Sequence, residues 1–190
     1  MAVSNKSYNN VINTLCRLGE YHEQITTVSV GDIWEIDMSK DTLFPLLHIN
    51  PINVQTGESE LLYNFQIFIC DLVSEKENWE TYQAEGLTKR LDNKNNEQEV
   101  FNQTLEISTD IISMLRHSIQ QSLAGVNDIN EALYFTQDQF TLEPFQERFD
   151  NLLCGYTFQI GIKVMNDFDA CGVPLPAGDG GVVQEKGAGY

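Results

Sequence analysis

The stretch Leu61-Leu62-Tyr63-Asn64-Phe65-Gln66-Ile67-Phe68-Ile69-Cys70-Asp71-Leu72-Val73 decides the fold. Read with a period of two, it places Tyr63, Phe65, Ile67 and Ile69 on one face and Leu62, Phe68, Cys70 and Leu72 on the other. A strand apolar on both faces belongs inside a sheet and is covered on at least part of each side. Just before it stand Ile52 and Val54, then the turn Gln55-Thr56-Gly57-Glu58. A glycine at that point supplies a positive φ, so the segment reads as a β-hairpin.

Upstream, Tyr8, Val11, Ile12, Leu15 and Leu18 recur at spacings of three and four. They predict a short first helix from a Ser7 cap to about His22. Ile25–Asp37 alternates as a half-buried strand, interrupted at Gly31-Asp32, and Leu43–Ile49 is a short apolar segment ending at Asn50-Pro51.

Downstream, Phe101, Leu105, Ser108, Ile112, Leu115 and Ile119 form an amphipathic stripe widened by Ile111 and Met114. It predicts one long helix to about Gln121, capped by Asn95 with Gln98 and packed across the sheet. Ala132–Thr136 and Gln139–Leu142 read as short strands, Pro144–Asp150 as a link, and Tyr156–Val164 as the last strand. The sum is an α+β fold: a mostly antiparallel sheet, a long helix upon it and a short N-terminal helix. Residues 1–170 are expected to form the domain, with a long loop at 74–97, and residues 171–190 an extended C-terminal arm.

Charge narrows the function. The 190 residues carry 28 Asp and Glu against 11 Lys and Arg, a formal −17. Such a surface repels phosphate, which argues against sequence-specific nucleic-acid binding and against docking on anionic membranes. No run approaches the ~20 apolar residues of a membrane span, and MAVSNKSYNN lacks the apolar centre of a signal peptide. The expected setting is a reducing cytoplasm. Cys16, Cys70, Cys154 and Cys171, with no C-x-x-C spacing, read as reduced thiols.

No pattern for chemistry survives inspection. His22, His48 and His117 fall in separate elements without a ligand pair. The run Asp92–Glu97 fails as a calcium loop, because Lys94 stands where an oxygen ligand is needed. Gly178-Asp179-Gly180-Gly181 lacks the Lys-Ser/Thr of a phosphate loop, and Asp167 with Asp169 read as solvated carboxylates. No catalytic residue, metal ligand or cofactor site is expected. Two other readings stay open: an intracellular binding or adaptor module acting through its loop and arm, and a small enzyme with an unrecognised site.

The order of elements resembles the tail-terminator and tail-completion (neck ring) proteins of tailed bacteriophages. The likeness rests on the helix Tyr8–Leu18, the segment ending near Phe44-Pro45, and Asn64–Phe68 running into Cys70-Asp71-Leu72. It continues through the helix Phe101–Ile119 and the strand Phe158–Val164. The stretch Asn166-Asp167-Phe168-Asp169-Ala170-Cys171-Gly172-Val173-Pro174-Leu175 also looks like phage structural proteins, whereas the arm from Cys171 lies outside the terminator pattern. The resemblance implies a virion protein made in the host cytoplasm. It would form a homo-oligomeric ring, hexameric or dodecameric, between portal or head-completion and tail proteins. Trp79, Tyr82, Leu87 and Tyr190 are then the expected partner contacts, since aromatic anchors concentrate binding energy. Glu75, Glu77, Glu80, Glu85, Asp92 and Glu97 are the acids expected to face a DNA channel.

Overall fold

Pairing of two chain segments far apart in sequence builds the molecule. The computed structural model describes residues 8–32, 43–73, 96–123, 135–148 and 152–165. In chain order these hold helix α1 (Tyr8–Glu20), strands β1 (Thr27–Val30), β2 (Leu46–Thr56) and β3 (Glu60–Leu72), helix α2 (Glu97–Leu123), and strands β4 (Phe135–Thr136), β5 (Glu143–Arg148) and β6 (Leu152–Met165). The six strands form one sheet in the order β1-β2-β3-β6-β4, with β5 also on β6. Every pairing is antiparallel except that of β1 with β2. The fold is α+β.

Strand β3 is central, as its two apolar faces require. It runs against β2 on one side and against β6 on the other, from Glu60↔Met165 to Leu72↔Leu153. Its odd-numbered face, with Tyr63, Phe65, Ile67 and Ile69, meets Phe158, Ile160 and Ile162 of β6 and Leu47 and Ile49 of β2 in the main core. Helix α1 adds Val11, Leu15 and Leu18 to that core, and α2 adds Ile107, Ile111, Ile112 and Leu115. Both helices therefore lie on one face of the sheet. Phe65, Ile69 and Ile107 are at most 1% exposed, and each such side chain contributes roughly 1.5–3 kcal/mol by leaving water. On the opposite face Leu46, Cys70 and Leu153 form a smaller cluster with Phe44 and Phe145.

Two glycines set how closely elements approach. A Cβ on Gly19 would lie 2.7 Å from Val28 Cγ2, so α1 rests on β1 at a point where a side chain has no room. A Cβ on Gly155 would lie 2.0 Å from the Ile69 carbonyl oxygen, so β6 can approach β3 there only without one. The backbone carries a positive φ at Gly31 (151°), where β1 ends, rather than at the hairpin glycine. Gly57 instead donates its N–H to the Glu60 carbonyl at 2.8 Å and closes the β2–β3 turn.

Several boundaries differ from the sequence reading. The segments either side of Asn50-Pro51 are one strand, β2, because Pro51 still pairs with Phe65 and the register shifts only between Pro51 and Asn53. β1 ends at Val30, at the interruption expected from Gly31-Asp32, and residues 33–37 lie outside the described ones. Residues 139–142 are not a strand. Phe140 and Leu142 instead pack against the core, Phe140 meeting Phe158 edge-on at 6.0 Å. Most of the segment read as the link Pro144–Asp150 is strand β5, tolerable for Pro144 because β5 is the outermost described strand on that side of β6.

The buried stripe of α2 is also turned by roughly half of one residue's 100° step. It runs through Val100, Thr104, Ile107, Ser108, Ile111, Ile112 and Leu115, leaving Phe101 and Leu105 half-buried at its flank. Thr104 and Ser108 can sit at 0% exposure because their hydroxyls donate to the carbonyls of Val100 (2.7 Å) and Thr104 (2.6 Å) one turn back.

That rotation has a direct test. Ile107→Asp should abolish cooperative unfolding, since it buries an unpaired carboxylate at a cost of several kcal/mol. Leu105→Asp should leave a folded protein that loses about 1–2 kcal/mol in urea titration. Equal damage from both would refute the placement of the stripe. Gly155→Ala should cost about 3 kcal/mol or more, because the Ile69 carbonyl it meets is backbone. A loss below about 1 kcal/mol would show that the strands can separate there.

Candidate functional site

Three polar constellations arise where the sheet brings distant residues together. The first joins β1 and β2 on the face away from the helices. Parallel register sets Ser29 beside His48, and the Ser29 hydroxyl lies 2.7 Å from His48 Nδ1. His48 Nε2 lies 3.1 Å from the Gly31 carbonyl, which can only accept. In the neutral ring Nε2 therefore carries the proton, and Nδ1 accepts from Ser29. A serine beside an imidazole is the beginning of a nucleophile–base pair. Here the ring is 1% exposed and satisfied at both nitrogens, with Phe68 6.1 Å away across the strand pair. In this geometry the pair ties β1 to β2.

The second constellation gathers at one end of the helix-bearing face. Gln146 of β5 donates to the Glu97 carboxylate in the first turn of α2, and the Cys154 thiol lies 4.0 Å from the Glu97 carbonyl oxygen. Asp71, opposite Cys154, is half-buried and accepts from the Leu72 N–H at 2.7 Å. Burial raises its carboxyl above the ordinary range, and that hydrogen bond partly opposes the rise. Burial also pushes the Cys154 thiol up to about 12, with the Glu97 and Asp71 charges acting in the same direction. Cys70, on the other face, is likewise pushed up to about 12, chiefly by burial and then by Asp71 and Cys154. Thiols held this far from ionisation are poor nucleophiles and poor metal ligands. Among the described residues no three His, Cys, Asp or Glu side chains converge on a point that could hold a metal ion.

The third is a field of amides across β2, β3 and β6. Asn50, Gln66 and Gln159 share one rung, with Asn53 and Asn64 in the next. Asn64 donates to Asn53 at 2.8 Å, and Gln66 donates to the Thr157 hydroxyl at 3.1 Å, which in turn donates to the Ile67 carbonyl at 2.9 Å. Gln137 completes the field from the edge. Between β4 and β5 the chain leaves the sheet, and the Gln137 side chain takes over the ladder. Its oxygen accepts from Gly161 N–H at 2.8 Å, and its nitrogen donates to the Gln159 carbonyl at 2.7 Å. Arg116 of α2 holds the departing chain by donating to the Asp138 carbonyl and lying 5.4 Å over the Phe140 ring.

A void of about 10 Å³ between the helices and the sheet is lined by Leu15, Leu47, Ile67, Ile111, Leu115 and Phe158, among others. It offers a water no polar partner and is a packing gap, not a ligand site.

Of the residues expected to act, Glu97 alone lies among those described, and the Gln146 amide engages its carboxylate. Trp79, Tyr82, Leu87 and Tyr190, and the acids Glu75, Glu77, Glu80, Glu85 and Asp92, lie outside the described residues. The sequence reading missed Ser29–His48 and Gln137. Strand register could have signalled the first, and nothing local signals the second. No helix among the described residues is long and apolar enough to cross a membrane. No protein-family profile matches the chain, and no curated protein is significantly similar to it.

The raised thiols set a pH dependence. A free thiol ionises near 9.0, so above that pH the unfolded chain loses protons that folded Cys70 keeps until about 12. Stability is therefore fully present below pH 9 and falls as pH rises, by about 1 kcal/mol for Cys70 between pH 9 and 10. Urea titrations from pH 8 to 10.5 should show this slope reduced in Cys70→Ala, whatever that variant's baseline. An unchanged slope would show that the thiol ionises freely in the folded state.

Proposed function

We propose that the chain is a non-enzymatic structural subunit of a tailed-phage virion. It forms a homo-oligomeric ring at the neck or the head-proximal end of the tail, and DNA passes through that ring. The observation that carries this reading is the layout of the fold. A short helix, a long hairpin, a second helix and a closing strand follow in the order on which the resemblance rests, with both helices on one face of a single sheet. The polar clusters fit the same reading, since the Ser29–His48 pair links two strands and burial holds the Cys70 and Cys154 thiols protonated.

Charge fits a conduit. A wall presenting carboxylates repels the duplex at short range, whereas each Lys–phosphate contact would release counterions and add affinity. The proposed neighbours are portal or head-completion proteins on one side and tail proteins on the other.

Light scattering on a size-exclusion column, run as a concentration series, should give six or twelve chain masses, and negative-stain micrographs should show annuli. A mass of one or two chains at every concentration, without annuli, overturns the ring.

A further inference from the structure

Strands β4 and β5 are two pieces of one strand position, both antiparallel to β6 and on the side of it away from β3. Their registers differ. Phe135 and Thr136 pair with Lys163 and Ile162, whereas Glu143 begins β5 opposite Thr157 and Arg148 ends it opposite Leu152. Residues 137–142 therefore stand opposite residues 158–161, a surplus of two on the β4–β5 side. Such a surplus differs from a one-residue bulge. Side chains alternate with a period of two, so a slip of two residues turns none of them to the other face. Carried through in the β5 register, residues 135–148 would match β6 from Met165 to Leu152 with no residue left over.

The excursion has the pattern that such a strand needs. Phe140 and Leu142 already pack on the core, while Gln139 and Thr141 are exposed. In the continuous register Phe140 would face Ile160 and Leu142 would face Phe158 on the helix side, with Thr141 opposite Gln159 on the other. Two side chains hold the chain out of it. Gln137 occupies the Gly161 N–H at 2.8 Å and the Gln159 carbonyl at 2.7 Å, backbone groups that a continuous strand would take. Arg116 donates to the Asp138 carbonyl and lies over the Phe140 ring. The observed register carries a cost of its own, since the Thr136 hydroxyl is buried with no hydrogen-bond partner among the described residues. We infer that residues 135–142 are a two-state element, which slips by two residues between the observed broken edge and a single strand continuous with β5. Gln137 and Arg116 are its latch. Asp138 opposes the slip, because its side chain would turn to the helix side, where Arg116 already meets its backbone. All of β5 keeps its partners, and only the two residues of β4 exchange theirs.

The inference is independent of the ring. Its test uses the full chain with Thr141→Cys/Gln159→Cys, a pair directly opposite, and within disulfide reach, only in the continuous register. Oxidised glutathione is added, and the 141–159 link is followed by peptide mass spectrometry. The pair is placed in three chains: one otherwise wild type, one carrying Gln137→Ala/Arg116→Ala, and one lacking residues 138 and 139. The deletion removes the surplus and makes the strand continuous. Gln137 and Arg116 are exposed, so the second chain should keep the wild-type circular dichroism. The expected result is a link that forms slowly in the first chain and about tenfold faster without the latch, the factor that hydrogen bonds of ordinary strength supply. It should form fastest in the shortened chain, which should still melt cooperatively. Equal rates with and without the latch overturn the two-state element, as does a latch-free chain that never links while the shortened chain does. A shortened chain without a cooperative melt shows that residues 140–142 do not serve as a strand, and overturns it as well.

Discussion

The pairing of β3 with β6 is the constraint on which everything else in the molecule rests. It runs without a shift from Glu60↔Met165 to Leu72↔Leu153, joining segments about ninety residues apart in the chain, as the Thr157 hydroxyl on the Ile67 carbonyl illustrates. Closing so long a loop costs several kcal/mol of entropy before any contact forms. The compensation is that both strands bury side chains on two faces: Phe65, Ile69, Phe158 and Ile160 toward the helices, Cys70 and Leu153 away from them. Gly155 makes the approach possible, since any side chain there would occupy the space of the Ile69 carbonyl.

Once that pair exists, the remaining elements have few places to go. β2 follows β3 through a tight turn closed by Gly57, and β1 is fastened to β2 by Ser29 on His48. The first helix crosses this half at Gly19, with Val11 and Leu15 on the core. The second helix covers the β3–β6 half, held at its start by Glu97 with Gln146 and further along by Arg116 with Asp138. His22, 3.5 Å from Asp110, ties the end of the first helix to the second. Most of these ties are short polar contacts between neighbouring elements, and they fix orientation more than they supply stability.

What could be read from the sequence was whatever obeyed a simple period over a long run. The strands at 61–73 and 156–164 and the first helix meet that condition, and the structure has an element at each. Phe140 and Leu142 misled, because alternation also arises when an irregular segment lays two side chains on a core. β5 was missed for the opposite reason: Glu143, Pro144, Glu147 and Arg148 give an edge strand the composition of a loop. In α2 the expected Ser108, Ile111, Ile112 and Leu115 are buried, but at its start the stripe falls on Val100, Thr104 and Ile107 instead of Phe101 and Leu105, because Thr104 counts as polar in any pattern. Its hydroxyl, returned to the helix's own Val100 carbonyl, makes it a small core residue. The candidate site was far less legible. Histidine spacing alone says nothing of His48, whose role depends on a serine nineteen residues away in a parallel partner. Gln137 acts through register that no local pattern encodes.

Among the described residues the two edges of the sheet are finished in different ways. On the β6 side the edge is broken into β4 and β5, bridged by the Gln137 amide, and closed by a strand carrying proline and charge. These features discourage a further strand from adding. On the β2 side no described residue pairs with the outer edge beyond Ile49, and residues 52–56 carry no charge. A charge of −17 opposes association only over about a Debye length, ~8 Å at physiological salt, so its distribution matters more than its sum. Carboxylates at a contact would bear that repulsion at the shortest distances, whereas carboxylates elsewhere are largely screened. In this chain of 28 acids the sixteen residues Thr42–Gly57 carry none.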